Sequence, residues 1–152
     1  MARSKSRMHS ATLGGSPDEV EAAFYEALRA GNVDRIMSVW ADEDEIACIH
    51  PGGQRLRGAG AIRAAFEAMF ADGGQLDVKI ASIHRVDALA CAVHHVLETI
   101  EVKTAHGAVP AYVLATNVYH KTAQGWRMVA HHASPGTAGE ALEISDAPKH
   151  FH

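Results

Sequence analysis

Four polar side chains interrupt runs that would otherwise read as apolar strands, and all four are of types that move or hold protons. They are His50 in Ile49-His50-Pro51-Gly52-Gly53, His94 in His94-His95, Asn117 in Thr116-Asn117-Val118-Tyr119-His120, and His131 in His131-His132-Ala133-Ser134-Pro135. A neutral imidazole such as His50 accepts a proton near pH 7 without the pKa tuning a carboxylate needs. The amide N–H of Asn117 can hold a ligand carbonyl or a developing oxyanion. Each residue also has a plainer role. His50 can cap the Pro-Gly turn, Asn117 can bond a neighbouring backbone or a histidine, and His94 and His131 can be satisfied interior histidines. His50, His94 and His131 could converge as three ligands, the composition of some catalytic zinc sites, but no ligand motif of the usual zinc spacing accompanies them. Neither a metal nor another cofactor is expected. Ser134 near His132 is no more than a pair of alternate strand residues, and no nucleophile triad or glycine-rich phosphate loop is evident.

The rest of the chain must position these groups. Its 152 residues suit one domain with a real core, and the 47% hydrophobic and 21% charged shares are those of a globular protein. A formal charge of −4 offers no general attraction for nucleic acid or an acidic membrane, so neither is expected as a partner. Eleven histidines add positive charge as pH falls through the imidazole range. Cys48 and Cys91 sit inside apolar strand-like runs and read as buried thiols in a reducing compartment. The basic start, Met1 to Ser10, has no apolar stretch behind it, and no later run is long enough to span a membrane. Residues 1–15 are expected to be a disordered leader and the location cytoplasmic.

Ser16-Pro17-Asp18-Glu19 opens a helix, with a serine cap, proline at the first position and acids in the first turn. Val20, Phe24, Ala27 and Leu28 give it one apolar face, and Gly31-Asn32 stops it. A second, short helix begins at Asn32, with Val33, Ile36, Met37 and Trp40 on its apolar side. Glu45 to His50 reads as a strand broken by Pro51-Gly52-Gly53. A third helix follows Gly58-Ala59-Gly60, burying Ile62, Ala65, Phe66, Met69 and Phe70, and ends at Asp72-Gly73-Gly74. Four strands then run over 76–86, 88–103, 109–122 and 126–134, with hairpin separators between them. Helix, helix, strand, helix and a four-strand meander make an α+β domain. Its curved antiparallel sheet packs against three N-terminal helices as a cone and leaves a cavity between the layers. The domain is expected over 16–135, with a flexible tail over 136–152.

That order, with Ala30-Gly31-Asn32-Val33-Asp34, Trp40-Ala41-Asp42-Glu43, Gly58 with Ala61-Ile62-Arg63, Thr116-Asn117-Val118-Tyr119, Gly125-Trp126-Arg127 and His132-Ala133-Ser134, resembles the nuclear transport factor 2-like superfamily. The superfamily includes ketosteroid isomerase, the SnoaL-like polyketide cyclases and the association domain of calmodulin-dependent kinase II. The resemblance covers about 16–135 and implies a cystatin-like α+β roll, and a fold with so many functions does not supply one by itself. Where isomerases of this fold carry an aspartate followed by proline as general base, this chain has His50 before Pro51. Their oxyanion-binding tyrosine corresponds to Phe24, with Tyr25 one residue off the register, and their protonated aspartate to Asn117. The phenol is therefore expected to be lost and ordinary steroid isomerisation is not implied. The arginines of the kinase association domain line up with His94, Asn117 and Ala133, so its anion pocket is not implied either.

Strand alternation puts His94, Val96 and Glu98 on one side of the sheet and His95, Leu97 and Thr99 on the other. It groups Asn117 with Ala115 and Tyr119, and His131 with Val129 and Ala133. If Asn117 faces the cavity, as the resemblance implies, so do His94 and His131, while His95 and His132 face the side on which this superfamily commonly meets a second subunit. Trp40, Phe24, Tyr25, Phe66 and Tyr119 are core or an aromatic wall of the pocket. Two readings stay open. One is an enzyme for a small, apolar carbonyl compound, of isomerase, cyclase or dehydratase type, with His50 as acid/base, Asn117 as oxyanion donor, and Phe24, Tyr25, Trp40, Phe66, His94, Tyr119 and His131 around the ligand. The other is a non-catalytic ligand-binding or assembly domain, a homodimer through the convex sheet face.

Overall fold

The computed structural model describes residues 14–73 and 75–146. Most of the expected leader and the last six residues, with His150 and His152, lie outside the described residues. Helix α1 (Pro17–Ala30) starts where Ser16 accepts from the Glu19 N–H at 3.2 Å, and it ends at Gly31, whose φ of 66° is the left-handed conformation that favours glycine. Asn32 caps the short α2 (Val33–Ser38) by accepting from the Arg35 N–H. The strands β1 (Ala47–Ile49) and β2 (Leu56–Arg57) flank the Pro-Gly-Gly turn, and α3 (Gly58–Met69) follows directly. The meander is β3 (Val78–Asp87), β4 (Cys91–Thr104), β5 (Gly107–Thr122) and β6 (Gly125–Pro135), and α4 (Ala138–Asp146) ends the described chain.

One six-stranded sheet results, in the order β2-β1-β6-β5-β4-β3. Every neighbouring pair is antiparallel except β1 with β6, which is parallel. Helices α1 and α3 close the inner face with Val20, Phe24, Tyr25, Leu28, Ile62 and Phe66, which pack on Cys48, Val96, Ala115, Tyr119 and Met128 from the strands. The pairing of β3 with β4 shifts register between Ser82 and His84, and that of β5 with β6 between Val118 and Tyr119. Such bulges bend a sheet and raise its twist, which lets long strands wrap a helix.

One face assignment is corrected, Met69 is 44% exposed where a buried residue was expected, and two expected boundaries acquire structure. The β6 bulge leaves Val129 as the extra residue, so Met128 pairs with Tyr119 and takes the inward place that strict alternation assigns to Val129. At the end of the expected leader the Gly14 carbonyl accepts from the Trp126 N–H at 2.9 Å, and Gly14 packs against Gly125. The segment expected as a flexible tail carries α4 over Ala138–Asp146. Thr137 and Glu140 cap α4 reciprocally, Glu140 N–H donating to the threonine hydroxyl at 3.1 Å and Thr137 N–H to the carboxylate at 3.0 Å.

Candidate functional site

The inner face of the sheet carries a line of polar residues in direct register. On neighbouring strands His94 stands opposite Asn117, and Asn117 opposite His131. All are closed off from solvent: His94 is 2% exposed, Asn117 0% and His131 4%, and Glu98, two places further along the inner side of β4 than Val96, is 4% exposed. Buried polar groups are as a rule hydrogen-bonded, and helix α1 supplies most of the partners, His94 Nε2 being left without one among the described residues. Glu21 and Tyr25, one helical turn apart, both reach down to the strands.

The resulting network has two centres. Glu21 Oε2 accepts from the Tyr119 hydroxyl at 2.7 Å, is 2.9 Å from His94 Nδ1, and accepts from Asn117 Nδ2 at 3.4 Å. The Tyr25 hydroxyl donates to Glu98 Oε2 at 2.7 Å and accepts from Asn117 Nδ2 at 3.0 Å. Both amide hydrogens of Asn117 are thus committed, and its Oδ1 faces His131 Nδ1 at 2.5 Å. This orientation makes Nδ1 the protonated nitrogen of His131 and leaves a lone pair on Nε2. Burial, with the neighbouring His50 and His132 adding to it, takes His131 down to about 3, so the ring is neutral.

Glu98 differs from Glu21 in its support. Burial raises its carboxyl from 4.5 to about 7, against the lowering effect of the Tyr25 hydrogen bond and with the charge of Glu21 adding to the rise. Burial and the Glu98 charge hold the Tyr25 phenol well above its ordinary value, and burial with Glu21 does the same to Tyr119. His50 sits half-buried just past β1. The edge of Phe66 meets it at 5.0 Å between centroids, the His131 ring lies 6.4 Å away, and Cys48 Sγ is 3.7 Å from its Nε2. Burial lowers the His50 pKa.

The structure therefore brings His94, Asn117, His131, Tyr25 and Tyr119 into one network, with His50, Phe24 and Phe66 beside it. Phe24 packs on His131 at 5.1 Å and on Phe66 at 6.3 Å between centroids. Trp40 stands apart, paired to Met128 by a single bridge, and its indole N–H has no partner among the described residues. The phenol that the aligned register gives up is present, since Tyr25, not Phe24, reaches the polar cluster. Two carboxylates escaped the sequence reading. Glu98 was legible as sharing a face with His94, and Glu21 as lying one turn before Tyr25. Two recesses lie elsewhere. One of about 430 Å³ on the outer sheet face holds His84, His95, Thr116 and His132, and one of about 640 Å³ lies between the α1–α2 junction and α3. Among the described residues no group of three or more His, Cys, Asp and Glu is arranged to hold a metal ion, and no helix is long and apolar enough to cross a membrane. Cys48 and Cys91 are both free thiols.

Comparison with known proteins fits this geometry to a family. A solved structure from Thiobacillus denitrificans, described as a candidate calcium/calmodulin-dependent protein kinase type II association domain, is 37% identical over 81% of this chain and 97% of that one, with a TM-score of 0.74. A candidate dehydratase of the NTF2-like family from Streptomyces avermitilis is 29% identical over 78% and 92%, with a TM-score of 0.68. An uncharacterised protein with a cystatin-like fold from Caulobacter vibrioides shares that fold at 16% identity over 83% and 91%, with a TM-score of 0.64. Comparison with curated proteins gives no match. The model of the SnoaL-like domain matches residues 18–138, and the chain belongs to that family, within the nuclear transport factor 2-like superfamily.

Proposed function

We propose that the inner face of the sheet is a ligand site and that the chain moves a proton on a small, largely apolar carbonyl compound, in the isomerase, cyclase and dehydratase range. The observation that carries this reading is the Glu98 carboxyl, buried, joined to Tyr25 at 2.7 Å and raised to about 7. A group that titrates near the working pH is the most effective proton carrier. Glu98 takes and returns the proton, and His50 meets the ligand oxygen from the mouth of the site. The charge of Glu98 acts on the Cys48 thiol, and Cys48 Sγ lies 3.7 Å from His50 Nε2, so Cys48 stands near both carboxyl and imidazole. Asn117, with its amide hydrogens engaged, positions Tyr25 and His131 and does not hold the oxyanion itself. Phe24 and Phe66 supply the apolar wall. The resemblance to the Streptomyces avermitilis protein, described as a candidate dehydratase, supports the dehydratase part of that range.

Proton movement can be read without knowing the natural substrate. A panel of enolisable cyclic ketones and β-hydroxy ketones is incubated with the protein in D2O, and loss of the α-proton signal is followed by NMR. Exchange rises with pH through about 7 as Glu98 ionises, and it disappears in Glu98→Gln. Exchange that persists in Glu98→Gln removes Glu98 from the mechanism, and no exchange with any member of the panel removes the enzymatic reading.

A second reading is an assembly domain, favoured by the 37% identity to the candidate association domain. The outer sheet face would then pair two copies through the groove of His95, Leu114, Thr116 and His132 and the exposed Ile83. Sedimentation of Ile83→Glu tests it: a dimer that falls to monomer supports pairing through this face, and an unchanged state refutes it.

A further inference from the structure

Cys48 and His50 are two residues apart on one extended segment, so their side chains fall on the same side of it. The Cys48 thiol is fully enclosed, and its hydrogen-bonding neighbour among the described residues is His50 Nε2 at 3.7 Å, within the reach of a sulfur hydrogen bond. The ring is held from another side by the edge of Phe66, and the backbone is pinned where the Gly53 N–H donates to the His50 carbonyl at 2.8 Å. Two arrangements satisfy the pair: the thiol donates to a nitrogen lone pair, or an imidazole N–H points at sulfur. The S–H is a weak donor and the sulfur a weak acceptor, so each arrangement pairs one good group of the imidazole with one weak group of the thiol, and the first leaves the ring N–H free on Nδ1.

We infer that Cys48 is a positioning residue whose buried S–H donates to Nε2 of His50 and holds the neutral ring as the Nδ1–H tautomer. Two facts support the premises. Burial, with the charge of Glu98 adding to it, pushes the thiol up to about 12, so it keeps its proton. Burial also lowers His50, so the ring carries a single N–H at neutral pH, and the thiol decides which nitrogen bears it. Resting on the function proposed above, the consequence is a division of labour. His50 faces a ligand oxygen as a fixed neutral hydrogen-bond donor through Nδ1, and the proton is carried by the carboxyl of Glu98. A neutral imidazole donor polarises a carbonyl without itself changing charge.

Nitrogen-15 NMR of the histidine rings in the full-length protein, assigned with His50→Phe, tests this without any ligand. The expected spectrum has a protonated Nδ1 and an unprotonated Nε2 at His50. Cys48→Val, which fills the site but removes the donor, shifts the tautomer balance toward Nε2–H and raises the His50 pKa, because the neutral ring loses its stabilising bond. The S–H infrared band of a Cys91→Ala background reports Cys48 alone, and it moves to higher frequency when His50 is replaced by Phe. A wild-type His50 carrying its proton on Nε2 overturns the inference even if Cys48→Val does not fold. So does a folded Cys48→Val with unchanged tautomer and pKa. Neither result depends on proton exchange with a ketone, so failure of the proposed function is read separately.

Discussion

Replacing Glu98 by Gln should make the protein more stable at pH 8 while leaving it nearly unchanged at pH 4.5. The folded carboxyl titrates at about 7 against an ordinary 4.5. At one pKa unit per 1.36 kcal/mol, that difference amounts to about 3 kcal/mol. Because the folded pKa is raised, the unfolded chain releases the proton first as pH rises. The stability associated with the protonated carboxyl is therefore intact below 4.5 and is lost as pH climbs through 7. Gln keeps the shape, accepts from Tyr25 and cannot ionise. His131 acts in the opposite sense. Its folded pKa of about 3 lies below the ordinary 6.5, so its contribution is present above 6.5 and lost as pH falls toward 3. Between 4.5 and 6.5 the two slopes cancel in the wild type, and Glu98→Gln uncovers a rising slope of about 1.4 kcal/mol per pH unit. The assay is urea unfolding of both proteins at half-unit intervals from pH 4.5 to 8, with unchanged m-values confirming two-state comparison. The stability difference should grow by about 3 kcal/mol across that range. A difference that stays constant with pH would show that Glu98 ionises as it does in water, and the account of the buried carboxyl would fail.

Other outcomes follow from the same contacts. His131→Leu removes the group that must charge in acid, so unfolding below pH 6.5 should lose its His131 slope, while neutral-pH stability falls by about 1–3 kcal/mol because Asn117 Oδ1 is left unpaired; equilibrium unfolding at pH 4 and pH 7 checks both. Gly125→Ala places a Cβ 2.8 Å from the Gly14 carbonyl oxygen at a φ of 103°, and it should cost about 1–3 kcal/mol and loosen the β5–β6 hairpin in hydrogen exchange. Thr137→Ala breaks the cap of α4 and should speed amide exchange within that helix, at a cost of about 1 kcal/mol. Tyr119→Phe deletes one donor to Glu21 and should destabilise by about 1.5–3 kcal/mol, read by denaturant midpoint.

Much of this architecture was legible in local signals. The serine cap with Pro17, the Gly31 stop and the three hairpin separators act within a few residues, so α1 and the four long strands could be read directly. Alternation also put His94 and Asn117 on one face, and the pairing register makes them neighbours. Most of what the sequence does not announce is non-local or needs a break in period. The β6 bulge moves Val129 out of step, and nothing in Arg127-Met128-Val129 announces it. The two-residue β2 exists because β1 offers an edge, and its own sequence carries no strand signal. The Thr137–Glu140 capping box is a local signal, set in a small, polar stretch with little apolar periodicity behind it.

The site shows how one residue of helical register changes the chemistry available. Phe24 and Tyr25 are both fully buried, their rings edge to face at 5.0 Å, so either could have been the residue over the sheet by size alone. The placement is decided by polarity. A buried phenol needs a partner, and the strands offer Glu98 and Asn117 where Tyr25 descends, while Phe24 meets the His131 ring and Phe66. Once Tyr25 is there, Asn117 has its amide fixed by two acceptors, and that fixes the His131 tautomer in turn. The interior carboxylates are then unequal by construction. Among the described residues three groups surround Glu21 Oε2, whereas Glu98 Oε2 has the Tyr25 hydroxyl alone. A buried carboxyl with so little support holds its proton to about 7, which makes the least supported member of the network the one suited to exchange it. Swapping the two residues, Phe24→Tyr with Tyr25→Phe, should therefore remove the phenol that links Asn117 to Glu98. Glu98 would lose the one hydrogen bond that lowers it, and its titration, followed by carboxyl carbon-13 NMR, should move above about 7; an unmoved titration would show that the Tyr25 bond does not set it.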